Sequence, residues 1–292
     1  HSSSEAFVKF IGCGNFVVRG IFFSINAQED LESLIATGAN EPDAPDRGLS
    51  PWGNNIMSFE DCVFHVPATM TEGRPAQTIK LVSASNVEFK RCWFDGDVAI
   101  KLGADFEQVV DPATGLTVNT IPDGRCGLTS IEDCYIRGDI VRERVYGLMM
   151  TRNQFYSKNI ALHALPVLKT SGNKVARDEF LLQNLLDPSG ILNLPDGYPS
   201  TPEYTGSWYE SGDSEDSGGV VAIGNQITGK NTCFRLLRGD IVALNNRPIA
   251  LGPSTFKRFI SRGPNGGRIF APANRTQDWL SANSVGGGVQ AR

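Results

Sequence analysis

An all-β chain made of stacked repeats is the fold class this sequence predicts, and three observations predict it. One phrase is written more than once: "SNVEFKRCWFDGD" (residues 85–97) and "TSIEDCYIRGD" (residues 129–139) share an apolar residue, two charges, Cys, an aromatic, an apolar residue, one polar residue and Gly-Asp. Residues around each copy alternate apolar and polar with the period of a strand. Copies also recur at short intervals, with 20 residues from Asn153 to Asn173 and 20 from Asn225 to Asn245. Other intervals are longer: 30 from Cys62 to Cys92, 42 from Cys92 to Cys134, 52 from Asn173 to Asn225. A unit of about 20 residues cannot bury its own apolar face, so units must stack, and strand-like units that stack make a parallel β-helix.

The totals agree with a large folded core. The chain has 292 residues, 40% hydrophobic and 20% charged, with a net charge of -5. That charge argues against a general nucleic-acid-binding surface. No apolar run reaches the length of a membrane span, and no signal peptide is visible, so membrane insertion is not expected. The opening His1-Ser2-Ser3-Ser4 reads as a processing scar. Six Cys residues without a CxxC spacing suggest reduced, buried thiols. No cofactor is expected.

The repeats can be taken in order. Each is anchored on a corner residue, with an apolar residue three before it and another two after. Val18-Ile21-Phe23 is a loose first copy. Phe59-Cys62-Phe64, Phe89-Cys92-Phe94 and Ile131-Cys134-Ile136 fit fully, and Met150-Asn153-Phe155 fits with Asn in the Cys place. Thr170-Asn173-Val175 is weaker, Ala222-Asn225-Ile227 fits, and "DIVALNNRPIAL" suggests a further turn of unfixed register.

Stacking sets equivalent residues about 4.8 Å apart. Phe59, Phe89, Ile131 and Met150 then form one inward ladder, and Phe64, Phe94, Ile136 and Phe155 another. Outward, Glu60-Asp61, Lys90-Arg91, Glu132-Asp133 and Thr151-Arg152 alternate in sign, which turns repulsion between neighbouring repeats into attraction. Cys62, Cys92 and Cys134 are expected to be buried corner residues. A straight ladder of them cannot wrap a metal ion tetrahedrally.

The phrases "FEDCVF", "FKRCWF", "IEDCYI", "MTRNQF" and "AIGNQI" resemble the right-handed parallel β-helix families, among them pectate-lyase-like polysaccharide enzymes and phage tailspikes. The resemblance covers roughly residues 7–260 and is specific for architecture. It implies a homotrimer, a virion or extracellular location, and a surface polysaccharide as partner.

Long insertions are expected at 26–56 ("NEPDAPDRGLSPWGNN"), at 103–127 as a projecting hairpin, and at 176–219. In the last, "ARDEFLLQNLLD" has helical spacing of apolar residues and the rest is an acidic, aromatic loop. The β-helix is expected over 1–265, with 266–292 as a C-terminal cap or tail.

The first position after each corner points outward, and so does the third. The first column reads Val63, Trp93, Tyr135, Gln154, and the third reads His65, Asp95, Arg137, Tyr156. Aromatic rings beside a carboxylate and Arg suit sugars, whose CH groups stack while hydroxyls take the polar partners. The plainer alternative is a solvated face, covered in part by an insertion or a neighbouring subunit.

Two residues on lie Asp97 and Asp139, with Glu143 and Lys101 near the same face. On adjacent repeats the two aspartates would lie about 5 Å apart, near the spacing of a retaining glycosidase pair. The alternative is that Gly96-Asp97 and Gly138-Asp139 are turn residues. A lyase would instead use His65 or Tyr156 as base and Arg137 or Arg152 as cation. A second candidate face lies in the 176–219 insertion around Tyr204, Trp208 and Glu210.

The expected function is recognition of a cell-surface polysaccharide, extended to its depolymerisation if the face is catalytic. The alternative is a non-enzymatic β-helix module of a virion fibre, spike or decoration protein.

Overall fold

The computed structural model describes residues 6–11, 15–24, 33–38, 56–66, 77–81, 84–103, 108–110, 113–119, 126–156, 168–187, 207–211, 217–229, 232–250, 258–263 and 265–272. Among them there is no helix. Twenty-two strands join one sheet whose pairings are parallel, and the remaining two form an antiparallel pair. This is compatible with the parallel β-helix expected from the sequence.

Three ladders run through the sheet. The first carries Phe16–Arg19, Met57–Glu60, Ala84–Lys90, Cys126–Glu132, the end of Tyr135–Thr151, the end of Leu168–Leu182, Val220–Ile223, Gly239–Leu244 and Gly266–Phe270. The second follows each corner: Phe22–Ser24, Val63–His65, the start of Trp93–Leu102, the start of Tyr135–Thr151, Gln154–Tyr156, Leu185–Asp187, Gln226–Gly229 and Arg247–Ala250. The third runs through Ala6–Ile11, Ser33–Gly38, Gln77–Leu81, the end of Trp93–Leu102, the middle of Tyr135–Thr151, Leu168–Leu182, Ser207–Glu210, Thr232–Leu236 and Arg258–Arg262.

The two inward ladders form as the alternation requires. Phe59, Phe89, Ile131 and Met150 are paired in register, and so are Phe64, Phe94, Ile136 and Phe155; all eight are fully buried. Their rings stack along the axis, with centroids 5.3 Å apart for Phe59 and Phe89 and 5.1 Å for Phe64 and Phe94. Burying each of these side chains stabilises the fold by about 1.5–3 kcal/mol relative to exposure.

Each corner is a two-residue device. The first residue is left-handed: Asp61, Arg91, Asp133, Arg152, Gln183 and Asn245 have φ between 52° and 55°, and Gly20 and Gly224 hold the same place in other repeats. The second is buried: Cys62, Cys92, Cys134, Asn153, Asn184, Asn225 and Asn246. Cysteine and asparagine do one job there, because each donates to a main-chain carbonyl of the preceding repeat. The Cys92 thiol reaches the Phe59 carbonyl at 3.3 Å, and the Asn153 amide reaches that of Ile131 at 2.8 Å. Each also accepts a main-chain N–H from the preceding corner: Cys92 N–H donates to the Cys134 sulfur, and Cys134 N–H to Asn153 Oδ1 at 2.9 Å. From Asn153 onward the amides also bond one another, at 3.0, 3.0 and 2.8 Å.

The outward charges pair across repeats. Arg91 makes two bonds to Asp61, at 2.7 and 2.9 Å, and Arg152 makes two to Asp133, at 2.8 and 2.9 Å. Arg152 also reaches Glu132, and Arg19 reaches Glu60 at 2.8 Å. Hydrogen bonds from Arg91 and Arg152 hold the Asp61 and Asp133 carboxyls below their usual range.

Several expectations are corrected. The corners are Asn184 and Asn246; Asn173 lies inside the strand Leu168–Leu182, and Asn245 is the exposed left-handed residue before the corner. "ARDEFLLQNLLD" is strand, not helix: Leu181 and Leu186 flank Asn184 at the same offsets as in every other repeat, and the left-handed Gln183 breaks any helical run. The 26–56 segment contains the strand Ser33–Gly38, paired with Ala6–Ile11 and Gln77–Leu81. The hairpin read in 103–127 is present as Gln108–Val110 against Thr117–Asn119. The strand Gly266–Phe270 pairs with Gly239–Leu244, beyond residue 265.

Candidate functional site

The face after the corner is built by register. Val63, Trp93, Tyr135 and Gln154 share one column, and His65, Asp95, Arg137 and Tyr156 share the next but one. Strand alternation turns Val63, Trp93, Tyr135, Gln154, His65, Asp95 and Arg137 outward, because the residues between them (Phe64, Phe94, Ile136 and Phe155) are in the core. Trp93 is 46% exposed, and its ring lies 4.5 Å from that of Tyr135, tilted by 43°.

Beside the rings a polar group is assembled across three repeats. His65 Nδ1 lies 3.1 Å from Asp95 Oδ2, and Arg137 Nη1 lies 3.7 Å from the same oxygen. The Asp95 side chain is only 13% exposed, against 38% for His65. Five of the ten expected site residues (His65, Trp93, Asp95, Tyr135 and Arg137) therefore fall on one continuous strip. The side chains of Tyr156, Trp208 and Asp97 lie outside the described side chains; the backbones of Tyr156 and Trp208 belong to the strands Gln154–Tyr156 and Ser207–Glu210.

The expected pairing of Asp97 with Asp139 is not what the register sets opposite. Arg137 pairs with Asp95, but Asp139 pairs with Val98, so the strand Trp93–Leu102 carries an extra residue at Gly96-Asp97. The cause is a close backbone approach. Gly138 has φ of 136°, and a Cβ on it would lie 1.9 Å from the Gly96 carbonyl oxygen. Only glycine fits at position 138, which accounts for the Gly in the second copy of the phrase. Glu143 sits at a further irregularity, between Arg142 and Arg144, and pairs with Lys101 at 3.3 Å.

Two features have no counterpart in the sequence reading. Arg142, Glu179 and Tyr209 meet inside the core, all essentially without solvent exposure. Arg142 bonds Glu179, the Tyr209 hydroxyl donates to Glu179 at 2.6 Å, and the guanidinium lies 4.7 Å over the Tyr209 ring. Burial pushes the Tyr209 hydroxyl well above its usual range. Burial, the largest single influence, would lower Arg142, but Glu179 and Tyr209 together outweigh it and hold the guanidinium protonated. The second feature is an outward apolar column of Met149, Phe180, Val221, Val242 and Phe270 on five successive repeats. Met149, Phe180 and Phe270 are exposed. No group of three or more potential metal ligands occurs among the described residues.

The strip can stack an apolar ring face on Trp93 and Tyr135 while offering a base, a cation and hydrogen bonds alongside. No family model matches this chain, and no curated protein or solved structure matches it.

Proposed function

We propose that this chain is a right-handed parallel β-helix, similar in kind to phage tailspikes, that recognises a cell-surface polysaccharide from a virion or extracellular location. The observation that supports the reading is the Trp93–Tyr135 pair, 4.5 Å between centroids and part-exposed, flanked on one strip by His65, Asp95 and Arg137. Stacked rings with adjacent polar groups match the two sides of a sugar. Depolymerisation is the enzymatic extension of this reading, with Asp139 as an acid whose register partner is Val98 rather than Asp97.

A glycan array and a reducing-end assay test it together. Trp93→Ala should weaken binding by at least about tenfold, roughly 1.4 kcal/mol, with an unchanged melting temperature, because the indole points out of the fold. Asp139→Asn should leave binding intact and remove cleavage. A parent protein that binds no glycan across a broad panel would sink the reading.

A second reading is carried by the exposed column of Met149, Phe180 and Phe270. Exposed apolar stripes of this kind suit contact between protein subunits. On that reading the chain is a non-enzymatic homotrimeric spacer of a fibre or spike. Light scattering on the parent and on a Phe180→Asp variant tests the subunit contact, and the glycan array on the same proteins separates the two readings.

A further inference from the structure

We infer that His65 is a general base, held in position by Asp95, and that with Arg137 it hydrolyses acyl esters carried on the sugars of the bound polysaccharide. This deepens the polysaccharide reading above and rests on it.

The tautomer follows from the geometry. An ionised carboxylate can only accept, so at 3.1 Å from Asp95 Oδ2 it is Nδ1 of His65 that carries the proton. Nε2 is then the lone-pair nitrogen, and no described residue hydrogen-bonds it. Asp95 is largely buried while the His65 side chain is more open, so the imidazole reaches solvent while its Nδ1 is held. Arg137 meets the same Asp95 oxygen from the other side, at 3.7 Å. Base and cation thus lie within the span of one sugar residue. Trp93 and Tyr135 stand two residues before Asp95 and Arg137 on the same strands, which sets the stacking platform beside them.

The chemistry selects among reactions. Double displacement at a glycosidic bond needs two carboxyl groups free for acid and nucleophile roles. Asp95 is engaged by His65 and Arg137, and the register sets Asp139 against Val98. Elimination from an acidic sugar must remove a carbon-bound proton beside a carboxylate, which demands strong neutralisation of that carboxylate. Arg137 also faces Asp95, so it can offer N–H donors to a developing oxyanion but no undivided counter-charge to a permanent carboxylate. Ester hydrolysis needs only what is present: one oriented imidazole, one hydrogen-bonding cation and solvent water.

The step balances. His65 Nε2 takes a proton from water as the water oxygen bonds to the acyl carbon. The carbonyl π pair moves to oxygen, and Arg137, which has five N–H donors, stabilises that oxyanion. The oxyanion collapses, the bond from the acyl carbon to the sugar oxygen breaks, and the imidazolium returns its proton to the departing oxygen. The products are a sugar hydroxyl and a carboxylic acid, with no oxidant, metal or other co-reactant. His65 is the catalytic residue, and Asp95 is a positioning residue.

The test uses the full chain, a panel of O-acetylated surface polysaccharides and the same panel after saponification. Binding is read on immobilised glycan, and acetate release is followed by NMR. The parent should release acetate from the acetylated polymers it binds. His65→Ala should lower the rate by about 10²–10⁴-fold with unchanged binding and melting temperature, and added imidazole should restore part of the rate to His65→Gly. Asp95→Asn should lower kcat with KM unchanged, which a merely structural loss would not do. Binding without acetate release overturns the esterase and leaves polysaccharide recognition standing. So does a His65→Ala variant as fast as the parent, or new reducing ends without acetate release. Absence of any glycan binding overturns both.

Discussion

Replacing Asn184 by alanine tests the corner column directly. Its side chain is buried and makes four hydrogen bonds. Oδ1 accepts from the main-chain N–H and the amide of Asn153, both at 3.0 Å. Nδ2 donates to the Met150 carbonyl at 2.9 Å and to Asn225 Oδ1 at 3.0 Å. Alanine leaves two N–H groups of Asn153 facing a space too enclosed to rehydrate freely. At about 1–3 kcal/mol for each buried group left unpaired, the loss should be about 4 kcal/mol. That is a large part of the roughly 5–15 kcal/mol that holds a domain together. Asn184→Cys installs the residue used at Cys62, Cys92 and Cys134, where a thiol still reaches the carbonyl of the preceding repeat. It should recover about half of the loss, because sulfur is a weaker donor and acceptor. Urea unfolding followed by circular dichroism, with midpoints compared at constant slope, measures both. An alanine variant within about 1 kcal/mol of the parent, or a cysteine variant no better than alanine, would refute the account of the corner.

Further outcomes follow from other contacts. Arg91→Glu sets like charges against Asp61 and Glu60 in place of the two-bond pair; the melting temperature should drop at low salt and the difference should shrink in molar salt. Glu179→Gln leaves the buried Arg142 without a counter-charge and should cost about 3–5 kcal/mol, whereas Arg142→Met combined with Glu179→Leu should recover most of that. Burial pushes the Cys126 thiol from 9.0 up to about 11, so its contribution is full below pH 9 and is lost as pH rises through about 11. Tyr209, also raised by burial, adds to the same alkaline loss above pH 10. Denaturation midpoints should therefore fall on the alkaline side, and Cys126→Ala should flatten that slope; a flat parent profile contradicts the assignment. Cys62, Cys92, Cys126 and Cys134 should resist thiol reagents in native buffer, since all four are buried and unpaired.

The inward ladders were legible because strand alternation and stacking are local rules: Phe59, Phe89, Ile131 and Met150 each sit three residues before a corner. The corners at Asn184 and Asn246 were harder. Counting in steps of 20 lands on Asn173 and Asn245, whereas the intervals are 31 from Asn153 to Asn184, 41 to Asn225 and 21 to Asn246. Only the flanking apolar residues identify the corner, and "FLLQNLLD" carries them in a form that also fits a short helix. The His65, Asp95 and Arg137 column was legible once the corners were aligned. The slip at Gly96 and Gly138 was not, because it depends on how close two backbones come. Arg142, Glu179 and Tyr209 lie 37 and 30 residues apart, and nothing in a single sequence links a charge in one repeat to its partner in another.

The corner column makes the chain a ruler that ignores what lies between its marks. Each amide or thiol fixes one rung against the next, whether the step is 19 residues, as from Cys134 to Asn153, or 42, as from Cys92 to Cys134. Length is set by the number of corners and surface character by the excursions, so the two can be altered separately. Duplicating the short stretch from Tyr135 to Asn153 would lengthen the stack by one step and present one more Asn to the ladder. Exchanging a long excursion would change what the surface displays and leave the step untouched. A protein built this way can change its surface without being redesigned as a fold.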